Sequence, residues 1–327
     1  MKVRMPTLND ILAPVATELK DFQTYYTQVQ EVPSRSLHYV LRYLLRKSGK
    51  QLRPAIVYLC AAAAGGISDT TRVAAAMVEL VHNASLIHDD ILDQAELRRG
   101  LPAVYKIWKN RAAVLAGDYM LALGLKLAVA SAEYRFLEYM NHAVQEMSAG
   151  EIEQLRRARK LEHDPESYFH IIRAKTAELL AVCSATGALS AGAPQETIEA
   201  FHRFGILLGM AFQIRDDILD FCPFDSGKLP GNDLKEGKVT LPLLYALDTL
   251  EPLEYKRRLR QIRKARRRFL VRQKLIRWVH TTDGLQRAEA KVRELTEEAK
   301  QALALVPDSA AKQALFQLAD FLVARKK

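Results

Sequence analysis

The chain has 327 residues, is 49% hydrophobic and 26% charged, and carries a formal net charge of +10. That length allows one large domain or two ordinary ones, with a core able to stand without disulfides or structural metal, and the balance excludes a disordered or fibrous chain. Three scattered cysteines, Cys60, Cys183 and Cys222, form no CxxC pair, which argues against a disulfide framework and for a reducing cytoplasm.

The opening stretch "MKVRMPTLNDILAP" lacks the apolar core of a secretory signal. Apolar residues then recur at spacings of three and four, and strand-like alternation is hard to find anywhere. The pattern predicts helices over 7–30, 34–47, 53–65, 70–95, 104–132, 134–161, 166–192, 195–221, 240–250, 252–280, 283–304 and 308–325. Gly65 and Gly66, Gly100 with Pro102, Asp164 with Pro165, Gly192 with Pro194, and Pro252 mark breaks between them. The longest apolar run, Ala55 to Ala64, is half the ~20 residues of a membrane span. No linker divides the chain, so the expectation is one all-α domain over 1–327. Much of the positive charge falls late, in "YKRRLRQIRKARRRFLVRQK". This reads as a solvated helix face, or as a surface for an acidic partner, an anionic membrane or nucleic acid. No nucleic-acid fold signature accompanies it.

One pentapeptide, "DDILD", occurs twice, as Asp89 to Asp93 and as Asp216 to Asp220, each inside an apolar helical segment. The first and last residues of each copy lie one helical turn apart on one face. Like charges there repel, and a hard divalent cation with oxygen ligands offsets the repulsion. Magnesium uses one or two carboxylates and shares its other positions with water and phosphate oxygens. Two such faces opposing each other would hold a polyphosphate. A calcium loop is excluded, because neither copy carries the required Gly and terminal Glu. Cations accompany both copies: Lys50 and Arg53 in "SGKQLRP", Arg98 and Arg99 in "ELRRG", Lys175 beside Thr176 in "RAKTAELL", and Lys228 and Lys238 in the loop "SGKLPGNDLKEGKVTLP". Arg suits phosphate through its planar donor fork, and Lys as a point charge. Gly205, Gly209 and Gln213 line the second acidic helix at four-residue steps. The glycines leave room either for a substrate or for close helix packing.

"GKQLRP", "HNASLIHDDILDQAELRRG", "AVLAGDYML", "GEIEQL", "KTAELL", "GMAFQIRDDILD" and "GNDLKEGKVTLPLLYAL" together resemble the trans-prenyltransferases, or polyprenyl diphosphate synthases, from roughly Gly49 to Leu247. The resemblance is nearest to the bacterial medium-chain hexaprenyl and heptaprenyl diphosphate synthase catalytic subunits. It implies an isoprenoid-synthase-type helical bundle around a deep cavity. It also implies head-to-tail 1'-4 condensation of isopentenyl diphosphate onto an allylic diphosphate with Mg2+, three ions when substrate is bound. A homodimer is implied, or a heterodimer with a small helper subunit. No nucleic acid is implied, and the product is destined for membrane lipid or quinone.

By position, Asp89, Asp90 and Asp93 would bind magnesium from one side, and Asp216, Asp217 and Asp220 from the other. Arg98, Lys175, Gln213, Lys228 and Lys238 would contact the allylic diphosphate, with Thr176 near the C–O bond that ionises. Lys50, Arg53, His82 and Arg99 would hold isopentenyl diphosphate. Gln51 stands where the family carries an arginine. His88 reads as structural.

In this family, side chains four and five residues before the first Asp limit product length. Here they are Ser85 and Ala84, with Val81 and Val78 farther down. A helical turn rises about 5.4 Å, close to one isoprene unit, and small residues at these steps suggest C30–C35. A shorter-chain farnesyl or geranylgeranyl synthase is the enzyme alternative. Terpene cyclases usually lack the paired cations. Non-catalytic partner subunits tend to lose the aspartates, which are intact here. A basic helical binding protein is the remaining class.

Overall fold

A computed structural model describes residues 6–32, 34–45, 49, 51–160, 164–222 and 230–325. In chain order its elements are α1 (Leu8–Leu12), α2 (Ala16–Val29), α3 (Arg35–Leu45), α4 (Leu52–Ala64), α5 (Asp69–Leu92), β1 (Leu97–Arg98), β2 (Leu101–Pro102), α6 (Val104–Ala130), α7 (Arg135–Lys160), α8 (Pro165–Ile172) and α9 (Glu178–Ser190). They continue as α10 (Gln195–Leu219), α11 (Asn232–Glu236), α12 (Leu241–Asp248), α13 (Pro252–Ala265), α14 (Phe269–Val279), α15 (Gly284–Ala302) and α16 (Ala310–Ala324). The all-α expectation holds, apart from one small hairpin.

The chain forms two compact units. One comprises Met1–Asn141, Val182–His202 and Leu305–Gln317; the other comprises His142–Ala181, Arg203–Ala304 and Leu318–Lys327. In the first, α5 starts from a capping box, where the Ser68 hydroxyl accepts from Thr71 N and Thr71 answers toward the Ser68 backbone. Its buried face runs from Ala74 through Met77, Val78 and Val81 to Ala84 and Ile87. Gly124 admits α6 closely, since a Cβ there would stand 3.3 Å from Val81 Cγ2 and 3.4 Å from Met77 O. In the second unit, Leu243, Leu247, Ile262, Leu275, Ile276 and Val279 form one apolar cluster around Phe221. Ile214, Ile218, Leu241, Leu244 and Val292 form another.

Besides the short helix α11, which lies in no predicted segment, four local features depart from the sequence reading. The 7–30 segment is interrupted by a 3-10 turn at Ala13–Val15, where Pro14 supplies no N–H. The 166–192 segment contains a π-helical turn at Arg173–Ala177. The 252–280 segment is two helices, because Arg268 is extended (φ −115°, ψ 104°) and α13 and α14 bury their apolar faces in the same cluster. The hairpin pairs Leu97 with Pro102 and Arg98 with Leu101, and turns through Arg99 (φ 53°) and Gly100 (φ 76°). Positive φ at both central residues matches the twist of the paired strands.

Among the described residues, α6 is the one helix long and apolar enough to cross a membrane by length and composition, which by itself is weak evidence for a span. It carries a backbone break at Lys109 (φ 70°, ψ 166°), and it leaves Ile107, Val114, Leu115 and Val129 exposed.

Candidate active site

Both acidic pentapeptides sit where a helix ends. Asp93 is the C-cap of α5, and Asp220 follows the last residue of α10. The final carbonyls of a helix carry partial negative charge and disfavour nearby carboxylates. Each motif therefore adds three acids to an end that already repels anions. Cations must supply the compensation.

At the first motif, Asp90 is buried, and its Oδ1 accepts from Arg98 Nε at 2.8 Å and from Arg98 Nη2. The hairpin makes this possible by folding the chain back directly after the helix. Asp89 is half-buried and Asp93 exposed. Arg99, on the turn, lies against Gly49, where a Cβ would stand 2.9 Å from its Nη2. A small pocket here is lined by Asn83, Asp90, Arg98, Arg99 and Tyr43.

A polar network runs along α5 two and three turns before this end. Arg53 Nη1 lies 2.9 Å from His82 Nε2. Burial pushes the imidazole well below its usual range, and Arg53, Arg99 and Arg98 push it further. His82 is therefore neutral, with Nε2 accepting from the guanidinium. Asn83 Nδ2 donates to Tyr26 Oη and to Glu79 O, both at 2.9 Å. Burial raises the Glu79 carboxyl against the opposing pull of Arg53 and Arg99. Arg53 Nε is buried and finds no hydrogen-bond partner among the described residues. A buried donor left in this state costs about 1–3 kcal/mol, and an anion would satisfy it.

At the second motif, Asp217 is buried and accepts from Tyr168 Oη at 2.5 Å and from Gln213 Nε2 at 2.9 Å. Gln213 Oε1 accepts from Thr176 Oγ1 at 2.8 Å. Asp220 caps α11, its two oxygens accepting from Asn232 N and Asp233 N at 3.0 Å each. Asp216 pairs with Arg325. Burial pushes the Asp217 carboxyl up to about 6, with Tyr168, Gln213 and Lys238 restraining the rise and Asp220 adding to it. Asp233 is pushed well above its usual range by burial and then by Asp217 and Asp220. Burial first, and mutual repulsion after it, thus disfavour full ionisation of Asp217, Asp220 and Asp233.

Lys175 is paired with Glu151. Gly150 permits the approach, because a Cβ there would stand 2.9 Å from Ala174 Cβ. Lys238 lies 2.6 Å from Glu236. The glycine stripe of α10 serves close packing. A Cβ on Gly205 would meet Ala181 Cα at 2.5 Å, and one on Gly209 would meet Ala177 Cα at 2.5 Å. That approach brings the π-helical turn, and Thr176 with it, down onto Gln213. Lys50 and Lys228 lie outside the described residues.

Among the described residues, no group of three or more His, Cys, Asp or Glu side chains could by itself hold a metal ion. Magnesium does not require one, since it binds through one or two carboxylates plus phosphate and water. The carboxylates at the ends of α5 and α10 are of the chemical type that such an ion takes.

A family model described as "Polyprenyl synthetase" matches residues 34–275. Heptaprenyl diphosphate synthase component 2 of Bacillus subtilis (strain 168) is 33% identical across 99% of this chain and 91% of its own. The protein of the same name from Geobacillus stearothermophilus is 40% identical across 76% of each chain. The crystal structure of polyprenyl synthase from Caulobacter crescentus CB15, complexed with calcium and isoprenyl diphosphate, superposes with a TM-score of 0.91 at 32% identity, covering 99% of both chains. The chain belongs to the polyprenyl synthetase family.

It is therefore a prenyl-transferring enzyme with the all-α isoprenoid-synthase fold, and it is similar to heptaprenyl diphosphate synthases among other members of the family. In this synthase, Ala84, Val81 and Val78 are all buried on α5, and the Ser85 hydroxyl donates to His82 O at 2.9 Å. His88 fits over Gly117, with Nε2 3.3 Å from Val114 O and 3.4 Å from Asp118 Oδ1. Sequence reasoning missed Tyr168, Glu79, Asn83, Tyr26 and Glu151. Tyr168 and Tyr26 carry no local signal separating them from core aromatics. Glu79, an acid alone in the apolar run "AAAMVELV", was the one that could have been found.

Proposed function

We propose that the enzyme condenses isopentenyl diphosphate head-to-tail onto an allylic diphosphate, with magnesium, to make a polyprenyl diphosphate of C30–C35. The observation carrying this reading is the pair of helix ends, each loaded with three aspartates. Bound magnesium, three ions with substrate present, would supply neutralisation of the diphosphate charge as the allylic C–O bond breaks. At the end of α5, Asp89 and Asp93 would hold it, with Asp90 beside them; at the end of α10, Asp216 would hold it, with Asp217 and Asp220 beside it. Tyr168 and Gln213 fix Asp217 in place for that role.

The bonding electrons leave with the diphosphate, and Arg98, Lys175, Lys228 and Lys238 receive its oxygens. Thr176, anchored on Gln213, stands near the breaking bond. Arg53, with its unmet Nε, holds isopentenyl diphosphate together with Lys50, Arg99 and neutral His82. The double bond of that substrate attacks the allylic carbon, and a proton is lost to the departing diphosphate. Ala84, Ser85, Val81 and Val78 set how far the tail extends.

The exposed apolar side chains of α6 and the groove of about 950 Å³ lined by Leu37, Tyr39, Val40, Ile107, Trp108 and Leu115 support a second subunit covering this face. A homodimer is the first reading. A small helper protein is the second, favoured by the "component 2" in the names of two relatives. The three cysteines are free thiols, which suits the cytoplasm.

The test is the purified chain with magnesium, labelled isopentenyl diphosphate and farnesyl diphosphate, followed by product sizing. Turnover to C30–C35 is expected, with Asp89→Ala and Asp216→Ala each losing at least about a hundredfold. Turnover independent of magnesium would overturn the assignment. Turnover only with an added second protein would select the heteromer.

A further inference from the structure

Between Pro252 and His280 the chain carries twelve Lys and Arg against one acid, Glu254. The remainder holds 36 basic and 37 acidic residues, so the whole positive charge of the protein is the property of this one segment. The structure sorts the segment into two faces. The inner arginines are occupied: Arg266 donates to Ala158 O at 3.0 Å, Arg272 donates to Ala265 O at 2.9 Å, and Arg258 lies over the Trp278 ring at 4.2 Å.

The outer residues Lys256, Arg260, Arg263, Lys264 and Arg267 are exposed. Their spacing of three and four puts Lys256, Arg260, Arg263 and Lys264 on one stripe of α13, opposite buried Ile262 and Ala265, and Arg267 continues it in the turn after the helix. Glu254 is spent on Arg257 and Arg258, at 3.6 and 2.8 Å. Among the described residues, no carboxylate pairs with any of the five. The helical part of the stripe, Lys256 to Lys264, is about 12 Å long.

Apolar side chains stand in water at both ends. Leu253 is 84% exposed at the start of α13, and Leu270 at 73% and Phe269 at 42% mark the corner into α14. Isolated exposed leucines are ordinary. Here they bracket an unpaired cationic stripe. We propose that the outer face of α13, with the Phe269–Leu270 corner, docks on an anionic lipid bilayer. The lysines and arginines would meet the headgroups, and Leu253, Phe269 and Leu270 would enter the acyl boundary. A nucleic-acid surface would instead interleave stacking aromatics with the cations, and the one tryptophan of the segment is already covered by Arg258.

The inner side of the same two helices meets Phe221 and Pro230, which follow the second acidic motif. Gln273 Nε2 donates to Pro230 O at 3.2 Å, and His280 Nε2 lies 2.8 Å from Phe221 O. Docking would therefore place that motif's unit against the bilayer. The bilayer as destination of the product rests on the long-chain reading above. Vesicle binding is measured without substrate, so the two proposals fail separately.

The experiment is sedimentation of the full chain with vesicles of phosphatidylglycerol and phosphatidylcholine (1:3) or of phosphatidylcholine alone, in low and high salt. Binding at least about tenfold tighter to the anionic vesicles, weakened by salt, is expected. The triple variant Arg260→Glu, Arg263→Glu, Arg267→Glu should lose that preference while keeping its thermal midpoint and its turnover without vesicles. The double variant Phe269→Ser, Leu270→Ser should bind several-fold more weakly at unchanged charge. Equal binding to both vesicle types, or retention by the triple variant, overturns the proposal. Binding of a short DNA duplex that the triple variant loses and the double variant keeps, without vesicle binding, makes the stripe a nucleic-acid surface and overturns it equally.

Discussion

Replacing Asp217 with Asn should stabilise the metal-free protein while destroying its activity. The Asp217 carboxyl is raised from 3.8 to about 6 by burial. The fold therefore prefers the protonated form. The cost of the charged form is absent below the unfolded value near 4, grows as pH rises, and is complete above about 6. A shift of about 2 units corresponds to about 3 kcal/mol at neutral pH. Asn carries no charge and escapes this cost. Its oxygen can still accept from Gln213, and its amide can donate to the Tyr168 oxygen. Exchanging the charged acceptor for a neutral one forfeits about 1 kcal/mol. The net gain is about 2 kcal/mol, or about 3 °C in Tm at pH 7–8. Thermal unfolding in chelator, followed from pH 5 to pH 8, measures it. The gain should fall by about half near pH 5, where the native carboxyl already carries its proton. An Asn variant that melts lower than the parent at pH 8, or a gain that does not shrink in acid, would refute the reasoning.

Gly209→Ala should destabilise by about 2–4 kcal/mol, because its Cβ would overlap the backbone at Ala177; the same variant should lose turnover by displacing Thr176 from Gln213, measurable by denaturant unfolding alongside kcat. Gly117→Ala should cost a comparable amount, since the added methyl meets the His88 ring, and combining it with His88→Ala should recover part of the loss. Ala84→Phe should shorten the product to C15 or C20 by chromatographic sizing, and an unchanged product would remove α5 from the control of length. Titrating the metal-free chain with magnesium and an unreactive diphosphate should raise Tm together, with either alone giving less, as calorimetry can show.

Much of this architecture was readable in the residues, and the exceptions have physical causes. Helices α5 and α10 announced themselves through long apolar periodicity and their acidic ends. The hairpin did not, because strands of two residues have no alternation to detect; Gly100 marked only a turn. The break between α13 and α14 carries neither Gly nor Pro. It follows from both helices needing the same apolar cluster, which is a tertiary demand that local pattern cannot express. The stripe of Gly205 and Gly209 left ligand and packing equally open, and only the position of Ala177 and Ala181 decides for packing. At the acidic motifs, spacing was enough to nominate six aspartates. The burial of Asp90 and Asp217 beneath Arg98 and Tyr168 was invisible, since these partners come from other elements.

Helix α5 runs unbroken from its Ser68 cap to Asp93, and carries Val78, Val81, Ala84 and the first acidic motif on a single rod. Removing or inserting one residue between Val78 and Asp89 would swing everything upstream by about 100° and turn the buried face toward water. Evolution can therefore retune this segment by exchanging one side chain for another of different bulk, but not by lengthening or shortening it. Among natural variants of this enzyme, gaps should be absent from that stretch even where its residues differ.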